Sequence, residues 1–142
     1  MTACIIPIPA EVDSSDGGID FTPFIKSAIP APPGGIDLPP SLSLTLEDGN
    51  VGDVLYLRAF RDYEGTPYLD TNVATPSGTL ERTAEFTTNT WCNGATPGDH
   101  QFSVVVADRP FFEQPSVKPE YQAVTLNGKS TTTYWTFRCG GL

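Results

Sequence analysis

The chain has 142 residues, 39% of them hydrophobic and 11% aromatic, with 17 acidic against 8 basic side chains and a formal net charge of -9. This balance argues against a nucleic-acid partner, because phosphate recognition needs clustered Lys and Arg and the basic residues here are scattered. No apolar run approaches the roughly 18 residues that span a bilayer as a helix, so a membrane attachment is expected only through lipid.

At the N-terminus, Thr2, Ala3 and Cys4 fill the last three positions of a lipobox, with Met1 where Leu is usual. The motif resembles the end of a bacterial lipoprotein signal, and the resemblance implies Cys4 as the acylated residue. Eight of the fourteen prolines fall in the first forty residues, beside Glu11, Asp13, Asp16, Asp20 and the pairs Ser14-Ser15 and Gly17-Gly18. Proline removes backbone donors and like charges repel, so residues 1–20 are expected to form a disordered or extended tether. Residues 21–142, about 120 in all, suffice for one core and are expected to form a single domain.

That domain reads as short alternating segments without a helical period. A strand is expected over Phe24 to Ala28. Ser41 to Leu46 places three leucines on one face and hydroxyls on the other, the period of a half-buried strand. Glu47-Asp48-Gly49-Asn50 supplies turn chemistry. Asp53 to Arg61 is a further strand whose inward face the pattern leaves open, and Leu80, Ala84 and Phe86 share a face of another. After the turn Thr96-Pro97-Gly98-Asp99, Gln101 to Ala107 turns Phe102, Val104 and Val106 inward. Tyr121 to Leu126, followed by Asn127-Gly128, predicts a hairpin with Thr131 to Cys139, on which Trp135, Phe137 and Cys139 face one way. About seven strands at this spacing predict an all-β antiparallel sandwich.

Two stretches carry a further resemblance. Pro97-Gly98-Asp99-His100-Gln101-Phe102-Ser103-Val104-Val105-Val106-Ala107-Asp108 is similar to the penultimate strand of immunoglobulin-like domains in bacterial surface proteins. Leu46-Glu47-Asp48-Gly49-Asn50-Val51-Gly52-Asp53-Val54-Leu55 is similar to a turn between their early strands. With the leader, the chain resembles a short uncharacterised Gram-negative lipoprotein carrying one immunoglobulin-like domain. The resemblance supports a fold more than a function.

Three cysteines sort into Cys4 in the leader and a pair, Cys92 and Cys139, in the domain. A Cys92–Cys139 disulfide would suit an oxidising compartment, with two reduced structural thiols as the alternative. Catalysis finds no constellation: His100 stands alone in a turn, no Gly-x-Ser-x-Gly elbow exists, and a hydrogen-bonded surface imidazole is the expectation. Zinc sites of His and Cys lack ligands in number, and no phosphate-cradling Gly-x-x-x-x-Gly-Lys occurs.

Asp48, Asn50 and Asp53 crowd one turn and are the candidate ligands for Ca²⁺, the one cofactor weighed, with solvated turn carboxylates as the plainer reading. Arg109, Phe111 and Phe112 form the candidate partner-binding loop, which could equally tuck under the sandwich. Tyr56, Tyr63, Tyr68, Phe111, Phe112, Tyr121 and Tyr134 are more aromatics than a core of this size must bury, and would suit stacking on sugars if exposed in a row and otherwise fill the core and cover loops.

The leading expectation is therefore a non-enzymatic, lipid-anchored envelope module, on the periplasmic or surface face of the outer membrane, contacting another envelope protein or itself. A module binding glycan or calcium is the second. A self-assembling fibre subunit, with Ile5, Ile6 and Ile8 adding to a neighbour's sheet edge, is the third, and Pro7 and Pro9 tell against it.

Overall fold

The computed structural model describes residues 20–64, 67–111, 122, 124–125 and 127–140. Cys4 and the rest of the leader to residue 19, with Phe112 and Tyr121, lie outside them. Every regular element among the described residues is a strand: Phe24–Ile29 (β1), Gly34–Asp37 (β2), Ser41–Glu47 (β3), Leu55–Arg61 (β4), Asp70–Ala74 (β5), Glu81–Thr87 (β6), Gly98–Ala107 (β7) and Ser130–Cys139 (β8). They form an all-β sandwich of a three-stranded sheet, β1-β3-β6, on a five-stranded sheet, β2-β8-β7-β4-β5.

The alternation read from the sequence explains the inter-sheet core. Leu42, Leu44 and Leu46 of β3, with Phe86 of β6, face Leu55, Leu57 and Ala59 of β4, Phe102, Val104 and Val106 of β7, and Trp135, Phe137 and Cys139 of β8. Each fully buried Leu or Phe contributes roughly 1.5–3 kcal/mol against exposure. Trp91, from the β6–β7 connection, inserts between Phe86 and Phe102, with ring centroids 5.5 and 5.9 Å away.

β4 and β7 are buried on both faces, which is why β4 has no readable inward side and why Val104-Val105-Val106 runs unbroken. Phe60, Val105, Ala107 and Phe111 build a second apolar cluster, flanked by Tyr56, Tyr63, Tyr68 and Val124. It lies on the outer face of the five-stranded sheet, opposite the residues of β4 and β7 that enter the main core.

Four expectations are corrected. The sandwich is not wholly antiparallel: β2 runs parallel to β8, with Ile36 beside Phe137. Gly34 makes that approach feasible, since its φ is +82° and a Cβ would meet Thr136 O at 2.9 Å and the Phe137 ring at 3.0 Å. The predicted hairpin of Tyr121 to Leu126 with the last strand is not formed by the described residues of that stretch: Val124 bridges Phe111 instead, and Tyr121, Ala123 and Leu126 lie outside the described residues. β8 pairs with β7 over ten residues, from Gly98–Cys139 to Ala107–Ser130, and on its other edge takes β2 at Thr136 to Arg138. Asn127 does take a positive φ of 60°, in a turn closed by Gly128 N donating to Thr125 O at 2.9 Å. Leu80 is exposed and precedes β6, whose inward face carries Arg82 instead. The strand expected from Asp53 begins at Leu55, with Asp53 in the preceding turn.

Candidate functional site

The β3–β4 turn, the end of β7, the start of β8 and the segment leading into β1 meet at one end of the sandwich. Asp48 and Asn50 are fully buried there. Asp48 Oδ1 accepts from Asn50 N at 3.0 Å, and Asn50 Oδ1 accepts from Phe21 N at 2.7 Å. Asp53 N closes the turn on Asn50 O at 3.0 Å. Two of the three residues expected to ligate calcium thus bind backbone, one shaping its own turn and the other holding the incoming segment. Gly49 is required at this contact, because a Cβ would stand 2.5 Å from the Phe21 ring. Thr131 Oγ1 donates to Pro23 O at 2.7 Å and fixes the segment a second time.

Arg82, 4% exposed, crosses beneath the turn. Its Nη2 donates to Asn50 O at 3.1 Å and Val51 O at 3.3 Å, and its Nη1 donates to Asp53 O. A buried guanidinium is tolerated because these turn carbonyls take up donors of both its Nη atoms.

The carboxylates that converge are Asp20, Asp53 and Asp108, each offering an oxygen within 4.8 Å of the others. Asp108, the first residue after β7, is 3% exposed. Its Oδ1 accepts from Lys129 N at 2.7 Å, while Oδ2 has no hydrogen-bond partner among the described residues. Asp20 Oδ1 is likewise buried without one. Burial pushes the Asp108 carboxyl up to about 6, and the Asp20 carboxyl adds to this against the Lys129 N–H and the Arg109 charge.

Asp53 is the one member of this group that the sequence reading picked out. Asp20 falls in the expected tether, and Asp108 only ends the run from Pro97 that carries the family resemblance. Only the strand order brings the three together, since they are separated by 33 and 55 residues of chain.

At the opposite end, Cys92 and Cys139 are joined in a disulfide with Cα atoms 5.5 Å apart. Arg61 Nη1 donates to Trp91 O at 2.8 Å and Asn93 O at 2.9 Å, holding the loop that carries Cys92. His100 lies beside it as a hydrogen-bonded imidazole, with Nδ1 2.5 Å from Asp62 Oδ2 and Nε2 donating to Thr96 O at 2.6 Å. Both contacts favour the imidazolium, so the His100 pKa is raised. Burial pushes Asp62 up, but hydrogen bonds from His100 and Gln101 N outweigh it and leave its pKa lowered.

The candidate partner loop sits elsewhere, on the outer face of the five-stranded sheet. Phe111 is 5% exposed, and Arg58 lies between its ring, 4.8 Å away, and that of Tyr68 at 4.2 Å. Arg109 Nη1 donates to Asp108 O at 2.9 Å. Phe111 is therefore tucked against the sheet and is not a surface anchor. Tyr56, Tyr63 and Tyr68 pack against the same cluster, leaving Tyr134 as the exposed tyrosine among the described residues. No family model matches the chain, and no curated protein or solved structure matches it either.

Proposed function

We propose that the protein is a non-enzymatic cell-envelope lipoprotein, in which Cys4 carries the lipid, the residues ahead of Asp20 form the tether, and the sandwich is a structural or protein-interaction module. The observation that carries the extracytoplasmic part of this reading is the Cys92–Cys139 bridge, because such bonds form and persist in oxidising compartments. It accounts for two of the three cysteines and leaves Cys4 for acylation. The strand order supports the immunoglobulin-like resemblance: a three-stranded antiparallel sheet faces a five-stranded sheet that is antiparallel except for β2, and the chain passes from an edge of the smaller to an edge of the larger between β1 and β2.

An interaction module is favoured over a glycan-binding one by where the aromatics go. Tyr56, Tyr63, Tyr68 and Phe111 support the second apolar cluster in place of an exposed stacking row. Exposed apolar side chains flank the β1–β2 crossing instead, with Ile29 at 77% and Ile36 at 48% exposure.

Metabolic labelling with radioactive palmitate, in a Gram-negative host expressing the native gene, tests the anchor. Label on the parent protein and none on Cys4→Ala is the expected outcome, together with release of the variant into the soluble periplasmic fraction. An unlabelled parent protein overturns the lipoprotein reading.

A further inference from the structure

We propose that Asp20, Asp53 and Asp108 form a binding site for calcium, placed so that the ion fastens the segment entering β1 to the turn before β4 and the end of β7. A calcium ion holds oxygen ligands at about 2.4 Å, so two ligands on opposite sides of it stand about 4.8 Å apart and adjacent ones closer. Three carboxylate oxygens lying mutually within 4.8 Å can therefore share one ion with the backbone where it is.

The spacing alone would describe any acidic cluster. Asp108 adds an independent observation. The residue is 3% exposed, and its Oδ2 has no hydrogen-bond partner among the described residues. An ionised carboxylate so placed is costly unless a cation or proton meets it. Calcium answers it better than magnesium, which demands near-octahedral ligands at about 2.0–2.1 Å and dehydrates reluctantly.

The surroundings are built to hold the three in register. Asn50 and Gly49 seat Phe21 immediately after Asp20. Arg82 fixes the carbonyl of Asp53. The Lys129 N–H orients Asp108 through its other oxygen. Asp48 and Asn50, which chain proximity suggested as ligands, act here by shaping the turn that presents Asp53.

The test uses the 142-residue chain stripped of metal by chelator, and it is independent of lipidation. Calcium chloride is titrated by calorimetry, and melting is followed with and without the metal. One saturable site per chain is expected, with a melting temperature that climbs as calcium exceeds the dissociation constant. Asp108→Asn keeps the side-chain shape. It should melt above the parent in chelator, because it removes a buried charge, yet lose at least about tenfold in calcium affinity. Asp20→Asn should show a similar loss of affinity, and Asp37→Asn, exposed at the other end, none.

A merely structural role for Asp108 would move the melting temperature while leaving the calcium response intact, and that result overturns the proposal. So does an absence of heat and of any melting shift at about 5 mM calcium. Equal affinity for magnesium would overturn the assignment to calcium.

Discussion

At one end of the sandwich, Cys92 and Cys139 join the β6–β7 connection to the last residue of β8. Arg61 caps two carbonyls of the bridged loop there. At the other end no covalent bond closes the structure among the described residues. Arg82 caps three carbonyls of the β3–β4 turn, and three carboxylates crowd beside it. Both ends gather carbonyls of a turn onto an arginine. They differ in what holds the sheets together beyond that: a cross-link at one, and charge that needs an outside partner at the other. The bridged end should ignore ions and respond to reductant, whereas the acidic end should do the reverse.

The largest expected effect is at the bridge. The bond links residues 47 apart in sequence, and the chain-entropy model assigns such a loop about 4 kcal/mol. The Cys92→Ala/Cys139→Ala double variant should lose about that much in urea denaturation, and adding reductant should destabilise the parent but not the variant. A stability equal to the parent's would place the strength of this end in Arg61 and Trp91.

Arg82→Met comes next. It removes the guanidinium that Asn50 O, Val51 O and Asp53 O share, with Asn50 O keeping Asp53 N, at a cost on the order of 3 kcal/mol. Arg61→Met, at a half-buried position, should cost about 1 kcal/mol. The comparison between the ends collapses if the two variants lose equal stability.

A smaller effect is expected from Gly49→Ala, whose Cβ would collide with the Phe21 ring. Displacing the docked segment should cost about 1–2 kcal/mol, and limited proteolysis should cut near residues 20–23 sooner than in the parent. It should also weaken calcium binding, because Asp20 precedes the displaced residue.

The smallest effect concerns pH at the bridged end. His100, whose pKa is raised, contributes stability that is complete below its ordinary 6.5 and is lost as pH rises through its folded value. Asp62, whose pKa is lowered, contributes stability that is complete above 3.8 and is lost as pH falls through its folded value. The pair therefore acts in full between those two pH values. The His100→Gln variant should flatten the upper side of the thermal-stability profile, as melts across that range would show.

The main core was legible in the sequence because β3, β7 and β8 alternate cleanly, so Leu42, Leu44, Leu46, Phe102, Val104, Val106, Trp135 and Phe137 could be assigned inward by period alone. The Cys92–Cys139 bridge followed from counting. β5 was not legible because its DTNVA sequence is polar. Asp70 and Asn72 accept from the next residue's N–H, and Asn72 Nδ2 reaches Glu85 O on the facing sheet at 2.9 Å. β2 hid among prolines and glycines, where the signal is a close backbone approach with no periodic trace. The Asn127-Gly128 turn was read correctly as a turn and wrongly as a hairpin, because the partner of β8 lies across a 22-residue connection. The candidate site suffered most from the same cause. Asp53 was visible in its turn, but Asp20 and Asp108 join it only through the strand order.

β7 and β8 pair over ten residues, roughly 33 Å of extended chain. The chain enters the sandwich at Asp20 beside the acidic end and leaves β8 at the bridged end. Whatever grips the protein ahead of residue 20 therefore presents the Cys92–Cys139 loop outermost, about 30 Å away. A mechanical load between residues 20 and 140 would run lengthwise along the strands. The hydrogen-bond ladders would meet it in shear, many bonds at once, and would not be peeled open one at a time.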